Sequence, residues 1–193
     1  VESTCRVIRE YGITNLAGSP TAYRLLLAAR DEVEAAIKGR LRAVSSAGEP
    51  LTPEVIRWFA EGLGCTIHDH YGQTELGMVL CNHHALQDPV RLGAAGFAMP
   101  GHRVVVLDEQ QRELPAGQPG ILALDMARSP LFWFPGYRGM ATKAFVGDYY
   151  LSGDTVELND DGSISFVGRA DDVITTSGYR VGPFDVESAL IEH

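Results

Sequence analysis

The sequence has little positive charge. Its 193 residues include 16 lysines and arginines against 25 aspartates and glutamates, which gives a formal net charge of −9. The basic residues form no run and do not alternate with aromatic residues, the patterns that bind nucleic acid or anionic lipid. Neither of these is therefore an expected partner.

Long apolar segments are absent as well. Hydrophobic residues make up 45% of the chain, enough for a buried core. No apolar run approaches the roughly 20 residues that cross a bilayer. The first residues resemble neither a signal peptide nor a transit peptide. We therefore expect no membrane span and a cytoplasmic location, and association into oligomers stays open.

Cysteine is rare, and its spacing is not typical of disulfides. Cys5, Cys65 and Cys81 are an odd number, which fits a reducing compartment. A zinc site is the alternative, because six candidate ligands lie in one stretch: Cys65, His68, His70, Cys81, His83 and His84. Their spacings match no familiar zinc pattern.

An initiator methionine is also missing, and both ends of the chain have helix-like patterns. We expect a fragment of a longer polypeptide.

Residues 1–85 alternate between helical and strand-like patterns, which predicts a parallel sheet with flanking helices. Strands are predicted at Ile13–Gly18, Leu41–Ser46 and Cys65–His68. A helix is predicted from Pro20 to about Arg30, with Ser19 as its cap. The turns that follow the second and third strands lie at the carboxyl edge of the sheet, where ligands bind in α/β proteins.

Residues 86–168 are richer in glycine, proline and short alternating runs, which predicts a small β-barrel-like subdomain. Residues 169–193 concentrate charge and glycine and end in a helix-like segment. We expect a hinge there and the start of a small α+β C-terminal domain. A solvated linker is the alternative.

The chemistry of the chain centres on the stretch from Asp69 to Glu75, which the sequence predicts to be a loop. Tyr71 offers a flat face to a purine, and Gly72 lets the backbone come close to a ligand. Thr74 can donate to a phosphate oxygen, and Glu75 can hold a hard cation such as magnesium. The alternative is a turn whose polar residues contact only water.

Asp154 follows Gly153 at the end of a predicted strand. Its two oxygens could accept from the two vicinal hydroxyls of a ribose. Such a residue is also common as a simple turn aspartate.

Four motifs occur in order along the chain. They are Gly48-Glu49-Pro50, Tyr71-Gly72-Gln73-Thr74-Glu75, Tyr150-Leu151-Ser152-Gly153-Asp154, and Gly168-Arg169-Ala170-Asp171-Asp172 with Ser177-Gly178-Tyr179-Arg180. Together they resemble the motifs of AMP-forming acyl-CoA synthetases, members of the adenylate-forming superfamily. The resemblance implies activation of a carboxylic acid by magnesium ATP to an acyl adenylate, followed by transfer to coenzyme A.

The resemblance also implies roles for individual residues. The residues expected to bind the nucleotide are Gly48, Glu49, Pro50, Asp69, His70, Tyr71, Gly72 and Gln73. Of these, Tyr71 would stack on the purine. Thr74 would contact the α-phosphate, and Glu75 would hold magnesium. Asp154 would bind the ribose hydroxyls, and Arg169 would contact the ribose or phosphate. In the last segment, Asp171 matches the interdomain hinge, Gly178 the pantetheine tunnel and Arg180 a contact to coenzyme A.

Two further parts of such enzymes are expected outside this chain: a phosphate loop before Val1 and an adenylating lysine after His193. Without them we expect little catalysis. A tryptophan replaces Gly72 in acetate-specific relatives, and the run from Ser177 to Pro183 is similar to medium-chain enzymes. The substrate predicted by resemblance is a medium-chain fatty or aromatic acid.

Two alternatives remain. One is an adenylation enzyme that loads a carrier protein. The residues around Arg180 favour coenzyme A over a carrier protein. The other is a non-catalytic nucleotide-binding module, although Thr74, Glu75, Asp154 and Arg169 are all retained.

Overall fold

A computed structural model gives the fold for residues 1–85, 90–91, 93–170, 174–176, 179–181, 186 and 189–190. The chain forms two compact units. The first unit comprises Val1–His70 and Asn82–Gly93, and the second comprises Tyr71–Cys81 and Ala94–His193. The predicted division at residues 85 and 168 stays a prediction.

The first unit is built on a parallel sheet, as the alternating pattern predicts. Its strands are β1 (Asn15–Gly18), β2 (Ala43–Ala47) and β3 (Ile67–Gln73), whose last three residues belong to the second unit. β2 lies in the middle and pairs in parallel with both neighbours. Ala47, the last residue of β2, therefore lies beside His70 of β3.

The helices of the first unit are α1 (Glu2–Glu10), α2 (Pro20–Leu27), α3 (Arg30–Ile37) and α4 (Pro53–Trp58), the last continued by a π-helical turn at Phe59–Leu63. Ser19 caps α2 as predicted, because its Oγ accepts from the Ala22 N–H at 3.3 Å. The helix predicted to reach Arg30 ends at Leu27. Ala29 leaves the helical conformation, at φ −116° and ψ 34°, and α3 then buries Val33 and Ile37.

Aromatic and branched side chains form the core of this unit. The Tyr23 ring packs edge-on against Phe59 at 5.0 Å between ring centroids. Its hydroxyl donates to the Ser45 carbonyl at 2.6 Å. Val44 and Ile67 are fully buried beside them. This packing holds β2 and the start of β3 within the core of the first unit.

β3 is longer than the sequence predicts. The predicted strand ends at His68, but β3 continues to Gln73. Pairing with β2 extends the strand to His70, since Ser46 lies opposite Asp69 and Ala47 opposite His70. On its other side β3 is hydrogen-bonded to β4. Backbone pairing thus extends the strand through residues whose polarity predicts a loop.

The second unit is antiparallel. Its main strands are β4 (Gly77–Cys81), β5 (Ala94–Ala98), β6 (Val104–Leu107), β7 (Pro119–Asp125), β8 (Phe145–Val146), β9 (Tyr149–Leu158) and β10 (Ile164–Arg169). They follow the order β4-β5-β10-β9-β7-β6, with β8 added beside β9. A separate pair consists of β11 (Ile174–Thr176) and β12 (Tyr179–Val181).

This sheet is not closed, which corrects the predicted barrel-like form. Closure requires the two edge strands to pair. The outer edge of β6 is instead occupied by the chain that follows it, since the Leu114 N–H donates to the Val106 carbonyl at 2.8 Å. Leu107 also forms a bridge with Glu113. The edge is thus covered locally and offers no partner for closure.

Among the helices of the described residues, none combines the length and apolarity that a membrane span requires.

Candidate functional site

Three side chains of the second unit converge on the buried carboxylate of Asp154, which is 4% exposed. Tyr71 and Gln73 lie two residues apart on β3 and so point to one side of it. The Tyr71 hydroxyl and the Gln73 Nε2, at 2.8 Å, donate to Asp154 Oδ2. Arg169 Nη1 lies 3.3 Å from Oδ1. Asp154 is therefore held by three donors from two other strands.

The local backbone explains why Asp154 points to these donors. Gly153 has φ +78°, a conformation that other residues rarely adopt. The Ser152 hydroxyl donates to the Leu122 carbonyl at 2.8 Å and accepts from the Asp154 N–H at 3.1 Å. Arg169 lies directly opposite Asp154 in the pairing of β10 with β9. Turn chemistry and strand register together place the carboxylate.

Tyr71 is held both by its hydroxyl and by packing of its ring against the core of the second unit. Burial, and then the hydrogen bond to Asp154, raise the pKa of Tyr71, so the phenol stays a neutral donor. Its ring centroid lies 6.5 Å from that of Phe166, with the planes tilted by 32°. Its predicted stacking on a purine stays a prediction.

Thr74 and Glu75 lie in the turn after β3, closed by a bond from the Leu76 N–H to the Gln73 carbonyl at 3.2 Å. Thr74 is exposed and Glu75 is half-buried. Glu75 Oε1 accepts a hydrogen bond from the Tyr137 hydroxyl. Sequence reasoning did not select Tyr137. The sequence shows only a glycine before it, Gly136, which has φ +97° in the structure.

A side chain at Gly72 would clash with the backbone beside it as that backbone lies in this structure. A Cβ at this position would lie 2.3 Å from the Gly77 carbonyl oxygen and 2.9 Å from the Met78 Cα. Both contacts are with main chain, which cannot move aside as a flexible side chain can. The absence of a side chain at Gly72 therefore has a packing reason that is independent of any acyl pocket.

In the first unit, Glu49 is tied to the start of α2. Thr21 Oγ1 donates to Glu49 Oε2 at 2.6 Å, and Arg24 Nη2 donates to the same oxygen at 3.1 Å. The Thr21 bond is the largest of the effects that lower the pKa of Glu49. Gly48, at φ +97°, makes the turn that leads into Glu49 and Pro50. Sequence reasoning did not select Thr21 or Arg24.

Unsatisfied polar atoms lie near the end of β2 and in the middle of β3. Ser46 Oγ, Asp69 Oδ1 and His70 Nδ1 are buried and have no hydrogen-bond partner among the described residues. Burial raises the pKa of Asp69 to about 7. The Ser46 hydroxyl is near enough to lower that pKa, although the two side chains lack the geometry of a hydrogen bond. Burial also lowers the pKa of His70.

The histidines and cysteines that suggested zinc do not assemble into a site. The His68 and His84 rings stack at 3.8 Å, and the His84 Nε2 lies 3.1 Å from Ser45 Oγ. Burial raises the pKa of both Cys65 and Cys81, which disfavours the thiolates that bind metal. In the part of the chain that the structure describes, no three His, Cys, Asp or Glu residues could hold a metal ion.

For three predicted site residues, the structure gives no contacts that bear on their predicted roles. Asp171 and Gly178 lie outside the described residues, and Arg180 is described only as part of β12.

The second unit thus offers a buried carboxylate with fixed donors, an exposed hydroxyl and a half-buried carboxylate. Such groups can bind sugar hydroxyls, phosphate oxygens and a hard cation.

Comparison with known proteins identifies the family. A sequence model of the AMP-binding enzymes matches residues 1–137. The chain belongs to the AMP-binding enzyme family. The adenylate-forming resemblance of the four motifs is confirmed.

Relatives of this AMP-binding chain include named acyl-CoA synthetases. It is 41% identical over 187 residues to human mitochondrial acyl-coenzyme A synthetase ACSM4, covering 95% of the chain and 32% of that protein. It is 38% identical over 196 residues to acetyl-coenzyme A synthetase of Bacillus subtilis, covering 100% of the chain and 34% of that protein. The chain thus spans about a third of the length of these relatives.

Solved structures give the same family. A Brucella canis acyl-CoA synthetase superposes with a TM-score of 0.84 at 64% identity, covering 100% of the chain and 35% of that structure. The anthranilate CoA ligase AuaEII, solved with anthranoyl-AMP, superposes with a TM-score of 0.84 at 27% identity, covering 100% of the chain and 36% of that structure. The fold is therefore that of the adenylate-forming enzymes.

Proposed function

We propose that the protein carrying this chain is an AMP-forming acyl-CoA synthetase. Its carboxylic acid substrate attacks the α-phosphorus of ATP, and the bond to pyrophosphate breaks to leave an acyl adenylate. The thiol of coenzyme A then attacks the acyl carbon, loses its proton, and AMP leaves. Family membership and the names of the relatives support this reaction class.

The Asp154 cluster is the observation that carries the proposal. Three donors hold this buried carboxylate in one orientation, and Oδ1 carries only one side-chain contact among the described residues, that from Arg169. A carboxylate oxygen accepts more than one hydrogen bond. Asp154 can therefore accept hydrogen bonds from ribose hydroxyls without losing its protein partners. Arg169 would lie next to those hydroxyls.

The turn after β3 supplies the next two groups. Thr74, being exposed, can donate to the α-phosphate. Glu75 suits a magnesium ion because its carboxylate is half-buried and its hydrogen-bond partner, Tyr137, is neutral. Magnesium, when bound, neutralises charge on the phosphates. The role of Thr74 is then to orient the phosphate that the acid attacks.

The first unit supplies groups for the adenine. Gly48, Glu49 and Pro50 form a turn that Thr21 and Arg24 hold in place. Asp69 Oδ1 and His70 Nδ1 are buried polar atoms without partners among the described residues. A purine amine or ring nitrogen would satisfy such atoms, which otherwise cost free energy. Tyr71, Gly72 and Gln73 continue the same strand.

We propose a medium-chain fatty or aromatic acid as the substrate. The names of the relatives include acetyl and anthranilate enzymes, so they support a carboxylic acid without fixing its size. Close packing against main chain can by itself explain the glycine at position 72. The prediction of the size of the acid therefore rests on the resemblance of residues 177–183 to medium-chain enzymes. Roles for Asp171, Gly178 and Arg180 belong to the same proposal, as does a cytoplasmic location.

The test is exchange of labelled pyrophosphate into ATP by the natural full-length protein. Acids from acetate to decanoate and benzoate are compared. We expect exchange to be highest with medium-length or aromatic acids. Glu75→Gln should lower it by about a hundredfold, since it removes the charge that stabilises the transition state. Tyr149→Phe, which loses a hydrogen bond to Glu113 elsewhere in the second unit, is the control.

Absence of exchange with every acid, in a folded protein that binds ATP, would contradict the synthetase proposal. It would favour a non-catalytic nucleotide-binding module.

A further inference from the structure

Tyr137 contacts the carboxylate to which the proposed function assigns the cation. Its hydroxyl donates to Glu75 Oε1 across 62 positions of the sequence. A phenol has an ordinary pKa of about 10 and is therefore a neutral donor at physiological pH. It can orient the carboxylate without cancelling its charge.

The position of the Tyr137 ring is set by its surroundings. Gly136, with φ +97°, turns the chain immediately before it. The ring packs edge-on against Phe134, with 5.2 Å between centroids. Phe134 in turn packs against Phe145 at 6.0 Å and Tyr150 at 5.9 Å. A cluster of aromatic rings thus supports the hydroxyl that meets Glu75.

The charge around Glu75 is suited to a cation. No lysine, arginine or histidine forms an ion pair with Glu75 within the described residues. The neighbouring phenol, Tyr137, is uncharged at physiological pH. The negative charge of Glu75 stays available to a ligand.

We propose that Tyr137 is a positioning residue for Glu75. It holds Oε1, and Oε2 would then be available to the divalent cation that accompanies the nucleotide. Without the bond, the carboxylate rotates among several orientations, and cation binding must then restrict it. The inference rests on the proposed function for the identity of the cation.

The test compares Tyr137→Phe with the natural full-length protein. Mn²⁺ binding in the presence of ATP is followed by electron paramagnetic resonance, which requires no turnover. We expect the variant to bind Mn²⁺ about tenfold more weakly, near the lower end of what a hydrogen bond to a charged group contributes. In pyrophosphate exchange, the metal concentration for half-maximal rate should rise by a similar factor, with KM for the acid unchanged.

Two controls isolate the effect. Tyr149→Phe also removes a tyrosine hydroxyl that donates to a glutamate, at Glu113, and should leave Mn²⁺ binding unchanged. In a Glu75→Gln background, Tyr137→Phe should have no further effect on Mn²⁺ binding, because Tyr137 acts only through Glu75. Denaturation midpoints establish that each variant is folded.

Unchanged or tighter Mn²⁺ binding in a folded Tyr137→Phe variant would overturn the inference. So would an equal loss in the Glu75→Gln background. The two proposals fail separately: a wild-type protein without exchange contradicts the synthetase, whereas the Mn²⁺ titration alone decides the role of Tyr137.

Discussion

Asp69 is the residue whose ionisation most directly links the site to stability. Its pKa rises from 3.8 to about 7 on folding, mainly through burial. Between these two values the folded protein holds a proton that the unfolded chain has lost. The free energy of unfolding contributed by Asp69 therefore decreases as pH rises through this window.

We predict that Asp69→Asn flattens this pH dependence. The measurement is urea unfolding of both proteins at about pH 5 and about pH 8. The wild type should lose stability, relative to the variant, as the pH is raised. Because every other titrating group is shared, the difference between the two proteins isolates Asp69. Parallel pH profiles would show that Asp69 ionises normally in the folded state.

At the scale of elements, the end of β3 and the start of β4 approach too closely for a side chain. A Cβ at Gly72 would lie 2.3 Å from the Gly77 carbonyl oxygen. We predict that Gly72→Ala lowers the free energy of unfolding by at least about 2 kcal/mol, because overpacking against main chain forces the strands apart. Chemical denaturation measures the loss.

Gly39→Ala is the matched comparison for this prediction. Gly39 has φ +71°, but a Cβ added there would meet nothing within 4 Å. Its substitution should cost about 1 kcal/mol from backbone strain alone. A Gly72→Ala loss no larger than that of Gly39→Ala would mean that the backbone of this turn adjusts easily.

At the scale of the whole chain, the excess of acidic residues sets how these 193 residues behave in solution. The sequence has a net charge of −9 at pH 7 and an isoelectric point of about 5.1. We predict that solubility is lowest near pH 5.1 and rises toward neutral pH, since repulsion between molecules vanishes with net charge. Precipitation curves between about pH 4 and about pH 8 measure it. A flat curve would contradict the role of net charge.

Much of the fold was predictable because its causes are local. Ser19 followed by Pro20 predicts the start of α2, and the structure has the capping bond. Alternating helix and strand patterns predict the parallel sheet of β1, β2 and β3. The errors arose where distant pairing decides: β3 continues past His68 because β2 lies beside it, and the antiparallel sheet stays open because Leu114 covers β6.

By itself, the sequence determined the family, through four motifs in order, and the acidic, α/β character of the chain. Tertiary structure alone decided which of these residues meet. Tyr71 reaches Asp154 across 83 positions, and Tyr137 reaches Glu75 across 62. No local pattern encodes such contacts, because hydrogen bonds between strands depend on register and on the packing of rings that lie far apart in the chain.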